Sequence, residues 1–369
     1  MKTVVVSAVN VRKGGTLTIL RDCLACLSTL PTGEYHVVAL VHSVRLLDFP
    51  NIKYVEVPWS VKSWLHRLWC EYVTMNQISH RLGDIDLWLS LHDTTPRVHA
   101  RRQAVYCQTS FPFLKWRWAD LKYDYKIVLF SLLTRFAYRV NVRKNQYLVV
   151  QAEWLRHGLS RMLNVPQEKF VVFPPLHDGR DIKEKTQGGG ELPGTYRFIY
   201  AATPDCHKNF EIVCKSADYL ETKLGQGKFC VLLTISGTEN KYARNLWQRY
   251  RHVQSIRWCG FLPYDRLFEL YGQTDCLVFP SRIETWGLPI SEYASWGHVM
   301  LLADLPYAYE TAAGCTHVAF FDVDDAYGLA AKMECLISGD TSILGTVPSR
   351  VLQRPFVQDW KALLDLLLS

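Results

Sequence analysis

Residues 282–297 read RIETWGLPISEYASWG, and two glutamates stand eight positions apart around a Gly-Leu-Pro. Leu277-Val278-Phe279 runs just before this stretch and Val299-Met300-Leu301-Leu302-Ala303 just after it, each with the length and composition of a buried parallel strand. Pro289 suits the first turn of a helix and Gly297 its end, so the order is strand, loop, helix, strand: one βαβ unit. Glu284 then falls on the loop and Glu292 in the opening turn of the helix. Both are placed to face the crevice beyond the carboxyl ends of the strands, where such sheets bind ligands.

A carboxylate accepts hydrogen bonds from two neighbouring hydroxyls at once, which makes Glu284 and Glu292 natural partners for sugar rings. Gly287 lets the backbone approach a ligand closely, and the N–H groups of Leu288 and its neighbours, with the helix dipole, favour a phosphate. A nucleoside diphosphate sugar fits this description. The plainer reading of the same residues is a Glu292 that only complements the helix dipole and a Glu284 that is a solvated loop residue.

The segment SRIETWGLPISEYASWG, followed by ADLPYAYETAAG and FFDVDDAYGLA, resembles the signature of family 4 glycosyltransferases. The likeness is densest from about Gly260 to Ala330 and extends more weakly over nearly the whole chain. It implies an α/β chain of the GT-B class, two Rossmann-like domains whose parallel sheets face a central cleft. It also implies hexosyl transfer from a nucleotide sugar with retention of anomeric configuration and without a metal ion or other cofactor. In the family, the residue matching Glu284 contacts the donor sugar, that matching Glu292 binds the ribose hydroxyls, and the amides of Gly287 and Leu288 hold the diphosphate. The resemblance carries Gly237 and Leu262 to the donor side as well.

The rest of the chain agrees with this frame. At 369 residues it exceeds what one core usually supports. The runs TVVVSAV, YHVVALV, IKYVEV, DLWLSL, QAVYC, YLVVQ and KFVVF alternate with helical patterns, as a mainly parallel sheet requires. A second sheet is expected through YRFIYAA, KFCVLLTI, SIRWCG, DCLVFP, VMLLAD and HVAFFD. These divide the chain into an acceptor-side domain over 1–176, a polar Gly-rich linker over 177–195 and a nucleotide-sugar domain over 196–352. A last helix over 353–369 should cross back to the first domain, as in GT-B folds. No uncharged apolar window of 18 or more residues occurs, and the short apolar part of MKTVVVSAVNVRKGG reads as a first strand rather than a signal peptide. A cytoplasmic chain is expected. The 11 cysteines are scattered and odd in number, as buried thiols are. Cys23 and Cys26 have no second pair at zinc spacing.

Three further places carry chemistry in the sequence. ATPDCHKNFEIV (202–213) follows the first strand of the second sheet, placing Lys208 to meet a diphosphate as a point charge, with His207 or Asn209 assisting. Relatives often have an arginine where this chain has Ala202. Gly14-Gly15 lies between the first strand and its helix and resembles the family's phosphate-facing Gly-rich loop. In LHDTTPRVHARRQAVYCQTSFPF (91–113), Gln108 replaces a histidine that relatives place on the acceptor side; a glutamine is no base, and His92 or Asp93 is left to take any vacant polar or catalytic role. In a retaining mechanism the leaving phosphate itself takes the acceptor proton. Asp84-Ile85-Asp86 and Asp322-Val323-Asp324 match the spacing of a metal-binding Asp-x-Asp, but both read as strand ends, and no metal site is expected.

Charge is uneven. Residues 1–177 hold 23 Lys plus Arg against 12 Asp plus Glu, or +11, and residues 178–369 hold 19 against 23, or −4. Within 111–144 lie eight basic residues, two acidic ones and nine aromatics, among them Lys115, Trp116, Arg117, Trp118, Lys122 and Lys126. Such interleaving suits contact with an anionic membrane surface, with rings at the interface and cations toward phosphate. Three tryptophans in PWSVKSWLHRLW (58–69) add to it. The competing reading is a two-sided helix with its aromatics in the core. No nucleic-acid motif is present. The resulting expectation is a transferase at the inner face of the cell membrane that extends a lipid-linked or saccharide acceptor in surface polysaccharide synthesis, such as an O-antigen or capsule. Transfer to a soluble acceptor, or a catalytically silent scaffold suggested by Ala202 and Gln108, are the alternatives.

Overall fold

The computed structural model describes residues 1–12, 14–175 and 194–369. Two compact units are present. The first holds Met1–Pro112, Leu132–Leu176 and Leu352–Ser369, and the second Phe113–Ser131 and His177–Val351.

In the first unit, β1 (Lys2–Ala8), β2 (Tyr35–Val41), β3 (Ile52–Glu56), β4 (Leu87–Ser90), β5 (Arg102–Cys107), β6 (Tyr147–Val150) and β7 (Phe170–Val172) form one parallel sheet in the order β3-β2-β1-β4-β5-β6-β7. Successive side chains of a strand point to opposite faces, and here both faces are covered. Val4 and Val6 of β1 pack with Leu24 and Leu27 of α1 (Gly15–Ser28), whereas Val5 packs with Trp88 and Met75 on the other side. A short helix α2 (Trp64–Trp69) continues through a π-helical turn, Cys70–Thr74, into α3 (Met75–Leu82). The chain then runs through α4 (Trp118–Ala137) and α5 (Glu153–Leu163). Helix α4 breaks at Asp124 (φ −153°, ψ 81°). Its residues up to Ser131 group with the second unit and the remainder with the first.

The second unit repeats the plan. Its strands β8 (Tyr196–Tyr200), β9 (Phe229–Leu233), β10 (Ile256–Trp258), β11 (Cys276–Phe279), β12 (Val299–Ala303) and β13 (Val318–Phe321) lie parallel in the order β10-β9-β8-β11-β12-β13. The intervening helices are α6 (Phe210–Leu224), α7 (Lys241–Tyr250), α8 (Tyr264–Gly272), α9 (Leu288–Ala294), α10 (Pro306–Thr311) and α11 (Ala326–Ile337). Each strand falls on one of the β-rich runs read from the sequence.

The chain ends in α12 (Trp360–Leu368), capped by Asp359, whose carboxylate accepts from Ala362 N at 2.7 Å. Leu363, Leu364 and Leu367 of α12 join the core beneath α1 in the first unit. The segment leading to it is pinned by buried Arg156, which pairs with Glu153 (3.0 Å) and donates to the carbonyls of Gln353 (2.8 Å) and Pro355. The linker expected over 177–195 lies outside the described residues except for Gly194 and Thr195.

Candidate active site

In the second sheet the strand order runs outward from β8 on one side and from β11 on the other, so these two neighbours form a topological switch point. Loops leaving their carboxyl ends diverge and open a crevice there. The loop from β8 turns through Cys206–Lys208 into α6, and the loop from β11 carries residues 280–287 into α9. Lys208 and Glu284, 76 residues apart, meet across this crevice, Lys208 Nζ donating to Glu284 Oε1 at 2.5 Å. Their side chains are 18% and 14% exposed, sheltered but open to solvent.

The scaffold around the pair is dense. Asn209 adopts a left-handed conformation (φ 59°), which a short polar side chain tolerates, and this turns the chain into α6. Its side-chain amide donates to the carbonyls of Val323 (2.9 Å) and Pro280 (3.3 Å). Asn209, expected beside the donor, is thus a buried pin between loops, with its carbonyl oxygen accepting from Arg117 (3.3 Å). Tyr200 Oη donates to the Lys208 carbonyl and Tyr307 Oη to the Ser281 carbonyl, both at 2.6 Å. Burial, then the Glu284 charge, pushes both phenols up. Burial, then Lys208 and Arg282, holds His207 well below the usual histidine range, so it sits neutral beside the site.

Gly287 is left-handed (φ 92°), and a Cβ there would stand 3.2 Å from Ile290 Cδ1, so glycine is required. Because α9 starts only at Leu288, Glu292 is its fifth residue, in the second turn rather than the opening one. Glu292 lies by Tyr271, whose phenol is raised by burial and then by this carboxylate. Gly237 is also left-handed (φ 89°), with the Trp247 side chain 2.5 Å from where a Cβ would be. Its N–H and that of Ser236 donate to the Glu239 carboxylate, at 3.0 and 2.5 Å. Leu262 is half-buried on the loop between β10 and α8. Ala202 donates its N–H to Thr234 Oγ1 at 3.1 Å.

Residues 113–131 bring charges that sequence reading assigned elsewhere. Arg117, expected to face a membrane, forms an ion pair with Asp324 and donates to the Val323 carbonyl (3.3 Å). That corrects its place among the membrane contacts, since its guanidinium is spent within the second unit. Trp116 is half-buried, with Trp118 edge-on at 5.5 Å between ring centroids, while Lys115, Trp118, Lys122 and Lys126 are exposed. Asp120 and Arg282, neither singled out from the sequence, make a buried two-pronged pair at 2.6 and 3.0 Å.

In the first unit His92 is buried. Its Nε2 lies 3.0 Å from both Ser7 Oγ and Ser90 Oγ, and its Nδ1 is 3.1 Å from Thr94 Oγ1 and 3.4 Å from Glu71. Glu71, missed in the sequence, also takes Arg67 Nε at 2.7 Å. Its spacing of four from Arg67 on a helical run was the available signal. Asp93, left-handed at φ 70°, accepts from the amides of Gln108 (2.5 Å) and Thr109 (3.1 Å). Burial raises its carboxyl despite those donors. Gln108 Nε2 in turn donates to the Leu91 carbonyl at 3.0 Å. The structure therefore binds His92, Asp93 and Gln108 into internal networks. Gly14 (φ 67°) caps α1 and Gly15 begins it, with open space around both.

Three carboxylates of the two Asp-x-Asp matches, those of Asp86, Asp322 and Asp324, are engaged locally. Asp86 accepts from Thr3 N (2.8 Å) and from Arg101 (3.3 Å), Asp322 from Asp324 N (2.8 Å), and Asp324 pairs with Arg117. The cysteines are free thiols.

Residues 181–342 match the family model for glycosyl transferases group 1. That match spans less than half of the chain. Lys208, Glu284, Gly287 and Glu292 all lie within that span. Among solved structures, sucrose-phosphate synthase from Thermosynechococcus elongatus is 13% identical, with 94% of this chain and 92% of that one covered and a TM-score of 0.62. The apo form of the lipopolysaccharide outer core galactosyltransferase WaaB is 10% identical over 93% of this chain and 92% of that one, with a TM-score of 0.59. The E. coli trehalose-6-phosphate structure bound with UDP-2-fluoro glucose is 12% identical over 93% of each chain, with a TM-score of 0.61. At such identities the likeness is one of fold, and the fold of this chain is GT-B. No curated protein sequence matches the chain.

Proposed function

We propose that this glycosyltransferase takes a nucleoside diphosphate sugar at the β8/β11 switch point and transfers the sugar, with retention, to a lipid-linked acceptor at a membrane surface. The observation that carries the donor reading is the Lys208–Glu284 pair: one cation and one carboxylate, partly exposed, at the crevice where sheets of this order bind nucleotides. In the proposed complex Lys208 turns to the diphosphate and Glu284 accepts from hydroxyls of the moving sugar, while Glu292 binds the ribose. A cation beside the leaving diphosphate favours charge that develops as the glycosidic bond breaks, and the leaving phosphate takes the acceptor proton. No protein base is needed. The ligand bound in the E. coli neighbour, UDP-2-fluoro glucose, supports this donor class.

The acceptor reading rests on exposed apolar surface. Tyr125, Leu129, Leu132, Leu133 and Phe136 recur along α4 at helical spacing and are all exposed. On α2, Trp64, Leu65, Leu68 and Trp69 are exposed too, beside an apolar cavity of about 440 Å³ lined by Trp59, Leu65, His66 and Trp69. Aromatic and aliphatic faces flanked by Lys122 and Lys126 are what an interfacial helix presents to acidic lipid. Among the described residues no helix is long and apolar enough to cross a membrane.

Screening UDP-, GDP- and ADP-sugars for release of nucleoside diphosphate without acceptor tests the donor half; no release from any of them, and no thermal stabilisation by any, supports a silent scaffold instead. Sedimentation with phosphatidylglycerol vesicles tests the membrane half. Binding is expected at low salt, weakened at 1 M salt where the Debye length is about 3 Å. It should be lost in Leu129→Ser/Leu133→Ser/Phe136→Ser. A wild-type protein that stays in the supernatant points to a soluble acceptor.

A further inference from the structure

The Asp120–Arg282 pair has a geometry that a general stabilising contact does not require. Arg282 Nη2 and Nη1 meet Asp120 Oδ1 and Oδ2 at 2.6 and 3.0 Å, with both side chains about 95% buried. The same guanidinium donates to the Cys206 carbonyl at 3.1 Å, and the Arg282 N–H donates to the His207 carbonyl at 2.9 Å. Arg282 thus grips the β8 loop twice while belonging to the β11 loop. Lys208 lies two residues beyond Cys206, and Glu284 two residues beyond Arg282. We infer that Asp120 is a positioning residue for transfer, acting through Arg282 to hold Lys208 and Glu284 in register.

The inference rests on reading that pair as the donor site. A planar guanidinium matched to both oxygens of a carboxylate has its orientation fixed, whereas one held by a lone carbonyl can rotate. Asp120 is itself oriented by the Arg117 N–H, which donates to its Oδ2 at 2.7 Å. The order of action is therefore Arg117 backbone, Asp120, Arg282, then the two loops. Tyr200, Tyr307 and Asn209 hold each loop to the body of the unit, so losing Asp120 should leave the sheet intact and loosen only the alignment between loops. A misplacement of about 1 Å at reacting groups costs on the order of a hundredfold in rate.

The test uses Asp120→Leu/Arg282→Met, which removes both charges together and keeps packing, since apolar replacement of a whole buried pair is often neutral for stability. Asp120→Asn serves as a second variant should the double one fold poorly. By hydrogen exchange without ligand, amides of 206–210 and 281–287 should exchange about tenfold faster or more, while those of β8, β11 and β12 stay as in wild type. With UDP-glucose as probe, kcat for nucleoside diphosphate release should fall about ten- to hundredfold with KM within about threefold. Wild-type exchange in both loops would overturn the inference whatever the kinetics. Loops that loosen as expected in a protein that hydrolyses no donor would uphold the positioning and count against the donor reading alone.

Discussion

Both sheets have a switch point, between β1 and β4 in the first unit and between β8 and β11 in the second, and both place charged residues there. The side chains make them different sites. At the first, His92 and Glu71 have side-chain exposures of 0% and 1%, and the imidazole nitrogens meet serine, threonine and carboxylate oxygens of the same unit. At the second, Lys208 and Glu284 hold each other and remain partly exposed. A closed network of this kind has spent its donors and acceptors on the fold, while an open ion pair can exchange one partner for a ligand. Topology offers two crevices, and polar bookkeeping decides which one is available.

The largest expected effect breaks the first network. Glu71→Ala leaves buried His92, and Arg67 at 17% exposure, without their carboxylate and should cost about 3–5 kcal/mol of stability, read as a shift in urea midpoint, with turnover of the folded fraction nearly unchanged. Preserved stability with collapsed turnover would make the first switch point catalytic and erase the contrast. Next, Glu284→Gln should lower kcat by about 10²–10³ with little loss of stability, whereas Glu292→Ala should weaken donor binding and leave kcat close to wild type. The opposite pattern would exchange the two roles.

A smaller effect separates the units by pH. Burial opposes ionisation of Glu71, but His92 and Arg67 overcome it and bring its carboxyl down to about 2. A folded value below the unfolded one gives stability that is present above about 4.5 and lost as pH falls from there toward about 2. His207 is also depressed in the folded state, so below its ordinary 6.5 the unfolded chain takes up the proton first. The second unit should then weaken as pH falls below 6.5, before Glu71 affects the first. Amide exchange followed separately in the two sheets between pH 7 and 5 checks this, and His207→Gln should flatten the second unit's response. Parallel loss in both sheets would contradict it.

Much of this molecule could be read beforehand because buried parallel strands leave a strong trace. Runs such as Val37–Val41 and Leu277–Phe279 are apolar on both faces and need no partner to be recognised. Lys208, Glu284 and Gly287 were likewise visible, each by chemistry local to a strand end. Strand order was not visible, and only the adjacency of β8 and β11 brings Lys208 to Glu284 across 76 residues of sequence. The same blindness to long-range pairing hid Asp120–Arg282, since nothing local in WADLKY or PSRIE specifies a partner. Arg117 misled for a related reason. In a basic aromatic run each cation looks solvent-facing, but one of them found Asp324. Glu292 shifted by a turn because the helix starts at Leu288, a boundary that depends on Gly287 being left-handed.

The open pair at the second switch point is tested most directly by calorimetric titration of wild type and Lys208→Ala with UDP and with uridine, or the matching diphosphate and nucleoside of whichever base the donor screen selects. A charge-assisted contact to a diphosphate is worth about 1.5–3 kcal/mol, roughly ten- to 150-fold in affinity. The variant should lose that much for the diphosphate and almost nothing for the nucleoside. Equal losses for both ligands, or undiminished diphosphate binding, would mean that Lys208 and Glu284 only hold the two loops together and that the donor binds elsewhere.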